Sequence, residues 1–207
     1  MYTVMITGGL GSGKSTLADL LCEKGAVSID LDEIGRTLLQ SDEDYVAELV
    51  ERFGEGILDE EGNVVSAELA RRAFADGDSE RDLNAIAFPY ITRLANEYVL
   101  DVHCTPRSDA RVLVVEVPLL TEVPEFAQLA DEVIAVAAPS DLRLQRAVAR
   151  GMDAADALRR MGVQASDAQR SAIADTVCDN AGTREELAAW ADGWWERTMA
   201  MLDEKGA

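Results

Sequence analysis

The chain has 207 residues, of which 48% are hydrophobic, enough for one domain with a buried core, and its net charge is −20. So acidic a surface repels nucleic acids and anionic membranes, which require clustered lysine and arginine, and it agrees with a small-molecule substrate, although solubility alone is the more common reason for such a charge. No apolar run approaches the roughly 20 residues that cross a bilayer. Three cysteines without paired spacing predict a reduced, cytoplasmic protein with neither disulfides nor a zinc site.

Short apolar runs alternate with helical stretches along the chain. Strands are predicted at 2–7, 26–29, 111–117, 132–138 and 175–180. Helices are predicted at 14–23, from about 33 to 103 with a break at 53–63, at 141–150 and at 183–204. The first strand runs directly into glycines, which argues against a signal peptide. The alternation predicts a three-layer α/β fold whose central five-stranded parallel sheet binds ligands at the carboxyl ends of its strands.

A glycine-rich loop follows the first predicted strand. Residues 6–16 read ITGGLGSGKST, and they place the pattern Gly-x4-Gly-Lys-Ser between a strand and a helix. Backbone N–H groups and the helix N-terminus then converge on phosphates, while Lys14 reaches the β- and γ-phosphates and Ser15 offers a hydroxyl to Mg²⁺. A plain glycine turn is the alternative, but the complete motif in this context favours a loop that binds the phosphates of a nucleotide. The predicted ATP-binding residues of the loop are Gly8, Gly9, Leu10, Gly11, Ser12, Gly13, Lys14, Ser15 and Thr16.

The loop alone leaves the reaction open. A GTPase switch normally carries an Asn-Lys-x-Asp motif, which is absent, and the Asp-x-x-Gly matches at 32–35 and 59–62 are too short to be specific. A motor ATPase usually ends a strand in Asp-Glu, whereas Glu116 is followed by Val117 and Pro118. A small-molecule kinase needs a carboxylate near the γ-phosphate, arginines that neutralise the phosphoryl group, and a pocket that excludes water.

Two carboxylates follow the second predicted strand. Asp30 and Asp32 alternate with Leu31, so they point to opposite sides if the strand continues there. Either can cap the next helix, and for Asp30 this is as good a role as catalysis. We favour catalysis for Asp32, because a carboxylate at this strand end faces the phosphate loop in the expected topology.

Positive charge is concentrated in one segment of the chain. Residues 141–170 contain six arginines and four aspartates, so the segment is +2 and the rest of the chain is −22. The arginines are Arg143, Arg146, Arg150, Arg159, Arg160 and Arg170. Surface arginines usually pair with acidic neighbours. The local charge reversal nevertheless favours an arginine lid over the phosphates, with Arg146 and Arg160 facing them.

In their order and spacing these motifs resemble the dephospho-CoA kinase family nearly end to end. The matching stretches are TGGLGSGKST, IDLDEIGRTLL, RFGEGILDEEGNVVSAELARRAF, LNAIAFP, EVPLLTE, VIAVAAPSDLRLQRAVAR, RMGVQ and ADTVCDNAG. The resemblance implies a P-loop NTPase fold and transfer of the γ-phosphate of ATP, with Mg²⁺, to the ribose 3′-hydroxyl of dephospho-CoA. It implies ATP and dephospho-CoA as small-molecule partners. We expect a monomer or weak homo-oligomer that binds neither nucleic acid nor a membrane.

The resemblance also implies individual roles. Asp32 matches the catalytic carboxylate, Lys14 the phosphate-binding lysine and Ser15 the metal position. The remaining catalytic matches are Arg146 and Arg160, with Gln164 completing an Arg-x-x-x-Gln pattern. The further ATP-binding matches are Arg146, Asn180 and Gly182. The acceptor-binding matches are Asp32, Arg36, Asn84, Pro118 and Leu119. The expected single domain has a core at about 1–39, 104–140 and 171–207, a helical acceptor-binding insertion at about 40–103 and a lid at about 141–170.

The chain departs from the family pattern at two places. Phe88-Pro89 stands where the family commonly has His-Pro, and the single histidine, His103, lies elsewhere. The lid turn reads ARGMD, where the family more often has Arg-Asp-Gly. Two other functions stay open at this point: a kinase for another nucleoside-like or small hydroxyl acceptor, and a regulator that binds ATP without transfer, to which only Phe88 points.

Overall fold

The computed structural model describes residues 1–104, 110–117, 120–121 and 124–206. The chain forms two compact units, the first comprising Met1–Ile29 with Asp109–Ala207 and the second Asp30–Ser108. The strands are β1 Tyr2–Gly8, β2 Val27–Asp30, β3 Val112–Glu116, β4 Glu132–Ala137 and β5 Thr176–Asp179. The α-helices described are α1 Lys14–Glu23, α2 Leu31–Ser41, α3 Glu43–Phe53, α4 Ser66–Ala73, α5 Gly77–Cys104, α6 Ser140–Ala149, α7 Ala154–Val163, α8 Asp167–Ile173 and α9 Arg184–Gly206. Short 3-10 helices lie at Glu55–Ile57 and Pro124–Leu129.

The five strands form one sheet in the order β2-β3-β1-β4-β5. The pairs β1–β3, β1–β4 and β4–β5 are parallel. In register, Ile6 lies opposite Glu116 and Gly8 lies opposite Val136, so these strands end at the same edge of the sheet. The predicted central five-stranded sheet of an α/β fold is confirmed.

Apolar residues on both faces of the strands explain why the sheet is buried. Alternate residues of a strand face opposite sides, and Val4, Met5 and Ile6 in the middle of β1 are each at most 2% exposed. One face packs against α1 and α9, through residues that include Leu17, Leu21, Leu187 and Trp194. The helix α8 lies against β1 and β4.

The second unit is helical, in agreement with the helices predicted between about 33 and 103. Its buried side chains come from α2, α3, α4, α5 and the first 3-10 helix, and they include Ile34, Leu38, Leu49, Ile57 and Leu69. Pro89 lies inside α5, which continues on both sides of it. The expected insertion at 40–103 falls within this unit.

The end of β2 differs from the extended arrangement considered for the two aspartates. The strand ends at Asp30 and α2 begins at Leu31, so Asp32 lies in the first turn of a helix. Asp30 and Asp32 therefore do not alternate along a strand. None of the helices in the described ranges is both long and apolar enough to cross a membrane.

Candidate functional site

The glycine-rich loop joins β1 to α1 at the carboxyl edge of the sheet. Gly11 and Gly13 have φ of +76° and +99°, the left-handed region that favours glycine. The Ser12 N–H donates to the Gly9 carbonyl at 3.0 Å, which closes the turn. The first N–H groups of α1 have no preceding helical carbonyl to bond, so they are available to an anion at the helix N-terminus.

A hydroxyl and a carboxylate meet beside this loop. The Ser15 Oγ donates to Glu116 Oε2 at 2.7 Å, joining the first turn of α1 to the last residue of β3. Glu116 is 9% exposed, whereas Ser15 is exposed. Lys14 is the first residue of α1 and is half-buried. The arrangement places a hydroxyl oxygen and a carboxylate oxygen side by side next to the loop.

Two cavities adjoin the loop. One, of about 260 Å³, is lined by loop residues with Arg150 and Met152. The other, of about 320 Å³, is lined by Thr16, Arg146, Asn180, Arg184, Leu187 and neighbouring residues. Their volumes lie near the lower end of those found for small-molecule sites. Arg150 lines both cavities, so it lies beside the loop although it is not among the predicted site residues.

Asn180 connects the end of β5 to the loop. Its side-chain Nδ2 donates to the Ser12 carbonyl at 2.7 Å, and the residue is 5% exposed. Arg146 in turn donates to the carbonyls of Asn180 at 3.0 Å and Gly182 at 3.1 Å. The structure thus brings together Ser12, Arg146, Asn180 and Gly182, all from the predicted ATP-binding set. Two residues before Asn180, burial raises the pKa of the Cys178 thiol to about 12, so this core cysteine stays protonated at neutral pH.

Arg160 has a different environment. It is exposed on α7 and forms an ion pair with Asp156 of the same helix, at 3.1 Å. Arg159 also pairs with Asp156, at 3.0 Å. In this conformation both arginines form ion pairs with an acidic neighbour on the protein surface and do not line the loop cavities described above.

The acceptor-binding residues predicted from the sequence are only partly described. Pro118 and Leu119 lie outside the described residues, and so does the side chain of Asp32, whose backbone lies in the first turn of α2. Arg36 is exposed on α2, and Asn84 is half-buried on α5.

Sequence reasoning misses the local roles of Glu116 and Arg143. From the sequence, Glu116 is considered only as a possible start of a motor-type ending, which Val117 and Pro118 exclude, yet its position at the end of a buried apolar strand is the available signal. Arg143 belongs by sequence to the lid arginines, but it is 6% exposed and its Nε donates to the Leu10 carbonyl at 3.0 Å. Arg143 lies four residues before Ala147, so the two share one face of α6, and Ala147 is also buried. This spacing is the signal in the sequence for an inward-facing arginine.

Comparison with known proteins supplies independent information on this chain. A family model described as dephospho-CoA kinase matches residues 2–186. A dephospho-CoA kinase from Corynebacterium jeikeium (strain K411) is 41% identical over 94% of the chain and 98% of the relative. The crystal structure of TT1252 from Thermus thermophilus is 28% identical, with a TM-score of 0.76 over 97% of each chain. A Campylobacter jejuni dephospho-CoA kinase structure, 19% identical with a TM-score of 0.67 over 95% of this chain and 96% of that one, shares the fold.

The contact between Asn180 and Ser12 generates a prediction. The change Asn180→Asp replaces the amide donor with a carboxylate oxygen facing the Ser12 carbonyl, which leaves that buried carbonyl unsatisfied. We expect the free energy of unfolding to fall by about 1–3 kcal/mol. Urea denaturation measures it, with the exposed Gln145→Glu as the matched amide-to-acid control. Equal stability of the two variants would contradict the role given to Asn180.

Proposed function

Since the chain belongs to the dephospho-CoA kinase family, we propose that its phosphate loop and the residues around it carry the family's reaction. That reaction is the ATP-dependent phosphorylation of dephospho-CoA in coenzyme A biosynthesis, so the protein is a kinase with small-molecule substrates. The observation that supports this site most directly is the Ser15–Glu116 hydrogen bond beside a complete phosphate loop.

The donor side follows from the loop. Backbone N–H groups of the loop and of the first turn of α1 bind the phosphates of ATP, and Lys14 neutralises the β- and γ-phosphates. The adenosine end takes the cavity lined by Arg146, Asn180 and Arg184. Because Arg146 bonds the Asn180 and Gly182 carbonyls, it shapes this cavity before any ligand is bound.

The oxygens of Ser15 and Glu116 fit Mg²⁺. Magnesium prefers hard oxygen ligands and keeps several waters, so one hydroxyl, one carboxylate and the phosphates suffice. Among the described residues no group of three or more His, Cys, Asp or Glu side chains is arranged to hold a metal alone, which suits an ion shared with a nucleotide. Mg²⁺ held by Ser15 and Glu116 would neutralise negative charge on the phosphates of ATP during transfer.

The acceptor hydroxyl requires a base, and we assign that role to Asp32. It follows β2 by two residues, and parallel sheets bind ligands beyond the carboxyl ends of their strands. Asp32 orients the ribose 3′-hydroxyl and accepts its proton as the oxygen bonds to the γ-phosphorus and ADP leaves. Arg36, Asn84, Pro118 and Leu119 form the acceptor side in this proposal.

Arginines of the lid, residues 141–170, complete the proposal. Arg146 and Arg160 stabilise the transferring phosphoryl group and help to exclude water, for which Arg146 turns from the Asn180 and Gly182 carbonyls toward the phosphates. Arg160 then has to leave Asp156, an exposed ion pair of the kind that contributes little to stability, so the exchange costs little. Arg150 supports the same step, because it already borders both cavities.

The cellular setting follows from composition. Cys22 and Cys178 are free thiols, which suits a reducing cytoplasm, and the charge of −20 disfavours nucleic acids and anionic membranes as partners. We propose a cytoplasmic enzyme that is monomeric or weakly associated.

The first test measures ADP release from Mg-ATP with and without dephospho-CoA, together with the mass of the product. We expect release that depends on the acceptor and a product one phosphate group heavier. Transfer to other hydroxyl compounds but not to dephospho-CoA would support a kinase for a different acceptor. Bound ATP with no product under any condition would support a regulator instead.

The proposed base gives a second prediction. Asp32→Asn keeps the size of the side chain but removes its basicity, so we expect kcat to fall by about 10²- to 10⁴-fold while ATP affinity stays within twofold. Steady-state kinetics and ATP titration measure the two effects. Glu33→Gln, the same change at the next, exposed position, is the control with unaltered turnover. Unchanged kcat in Asp32→Asn would remove Asp32 from the mechanism.

The metal position gives a third prediction. Glu116→Gln removes the negative charge beside Ser15 but keeps an acceptor for its hydroxyl. We expect the Mg²⁺ concentration for half-maximal activity to rise about tenfold, as for residues that bind or orient metal ligands. Activity measured across a Mg²⁺ series at saturating substrates tests this, with Glu55→Gln, a change at an exposed 3-10 helix residue, as the control. An identical Mg²⁺ dependence would contradict the assignment.

A further inference from the structure

Leu10, in the middle of the phosphate loop, has both of its backbone polar groups bonded by side chains. Its N–H donates to Gln164 Oε1 at 2.9 Å, and its carbonyl accepts from Arg143 Nε at 3.0 Å. Gln164 and Arg143 lie more than 130 residues away in sequence, at the end of α7 and within α6. The backbone of the loop is therefore stabilised by two residues that are not part of the glycine-rich motif.

Arg143 approaches three consecutive residues of the loop. A Cβ added to Gly9 would lie 2.2 Å from Arg143 Nη2, and one added to Gly11 would lie 2.2 Å from the Arg143 carbonyl oxygen. Between them, Leu10 accepts the hydrogen bond from Nε. Both the main chain and the side chain of Arg143 thus pack directly against the loop backbone, with no space for a side chain between them.

The guanidinium of Arg143 is itself positioned by residues of α8. Its Nη1 donates to Asp167 Oδ1 at 3.0 Å, and Arg170 Nη1 donates to the same oxygen at 3.1 Å. The side chains of Arg143 and Arg170 are 7% and 3% exposed. Asp167 and Arg170 belong to α8, which begins with a capping box at Ser166 and lies against β1 and β4. The chain of contacts connects the loop to the sheet through α8.

We propose that Arg143 is a positioning residue for the phosphate loop, held by Asp167 and Arg170 and acting through the Leu10 carbonyl. Its burial and its two acceptors leave the guanidinium bonded to protein, so it does not serve as a lid arginine that binds phosphate. By bonding the Leu10 carbonyl, Arg143 keeps the Leu10–Gly11 peptide group oriented with the Gly11 N–H toward the anion. The inference rests on the proposed phosphate-binding role of the loop.

The proposed role affects the binding of some ligands and not of others. Loss of the contact between Arg143 and Leu10 lowers the affinity for ligands that place a β-phosphate in the loop, and it leaves nucleoside binding in the neighbouring cavity nearly unchanged. A residue needed only for stability of the fold would instead weaken both kinds of ligand together. The affinity ratio between ADP and adenosine therefore separates a positioning role from a merely structural one.

Two variants of Arg143 dissect the contact. Arg143→Met keeps the length of the side chain and removes every donor, while Asp167 remains paired with Arg170. Arg143→Gln has a nitrogen bonded to Cδ, where arginine has Nε, so it retains a donor for the Leu10 carbonyl and loses the contact with Asp167. Arg111→Met removes the same charge at an exposed ion pair with Asp203, beside the first residue of β3, and is the matched control.

The experiment measures dissociation constants for ADP by calorimetry and for adenosine by ligand NMR, together with thermal unfolding. For Arg143→Met we expect ADP to bind about tenfold or more weakly and adenosine to change less than twofold, since a charged hydrogen bond is lost. Arg143→Gln should recover part of the ADP affinity, and Arg111→Met should match the wild type.

The alternatives give different results. Unchanged ADP affinity in Arg143→Met, or an equal loss for ADP and adenosine in both variants, would overturn the positioning role. If Arg143→Met does not fold, Arg143→Gln decides the question by its ADP-to-adenosine ratio. If the wild type binds ADP no more tightly than adenosine, the proposed phosphate site itself fails, and the role of Arg143 fails with it. The wild-type ratio thus distinguishes failure of the proposed function from failure of this inference alone.

Discussion

A phosphate loop must turn its N–H groups toward an anion, and its carbonyl groups then have to be bonded on the other side. Four carbonyls of this loop have such partners: Gly9 bonds the Ser12 N–H, Leu10 bonds Arg143, Ser12 bonds Asn180, and Gly13 bonds the Leu17 N–H. Two of these partners are backbone groups close in sequence, and two are side chains from distant elements. Buried carbonyls without partners are costly, so these bonds preserve the loop's shape.

The use of arginines to bond main-chain carbonyls around the loop also helps to explain how an acidic chain can bind polyanionic substrates. The net charge is −20, yet arginines are concentrated around the loop. Arg143 and Arg146 donate to main-chain carbonyls, so their charge is not fully cancelled by carboxylates. Arg143 shares Asp167 with Arg170, which leaves this group of three side chains positive. Local charge at the site, and not the charge of the whole surface, provides the attraction for phosphate.

Local patterns in the sequence were sufficient for the fold and for the loop. Buried apolar runs predicted β1, β3 and β4 because both faces of a parallel sheet are covered, and the spacing of glycines, Lys14 and Ser15 is contained within eight residues. The roles of Glu116 and Arg143 could not be predicted in this way. Each depends on a partner more than 100 residues away, Ser15 for one and Leu10 for the other, and sequence spacing carries no information on such pairs.

The described residues that shape the loop and those proposed for the acceptor come from different parts of the chain. Every described residue that shapes the phosphate loop, including Glu116, Arg143, Gln164 and Asn180, belongs to the first compact unit. Asp32, Arg36 and Asn84 belong to the second. In the proposed function, the four side chains of the first unit act on the donor ATP and its Mg²⁺, whereas Asp32, Arg36 and Asn84 act on the acceptor and its proton. We therefore expect substitutions of Arg143 or Asn180 to change the KM for ATP and substitution of Asp32 to change kcat.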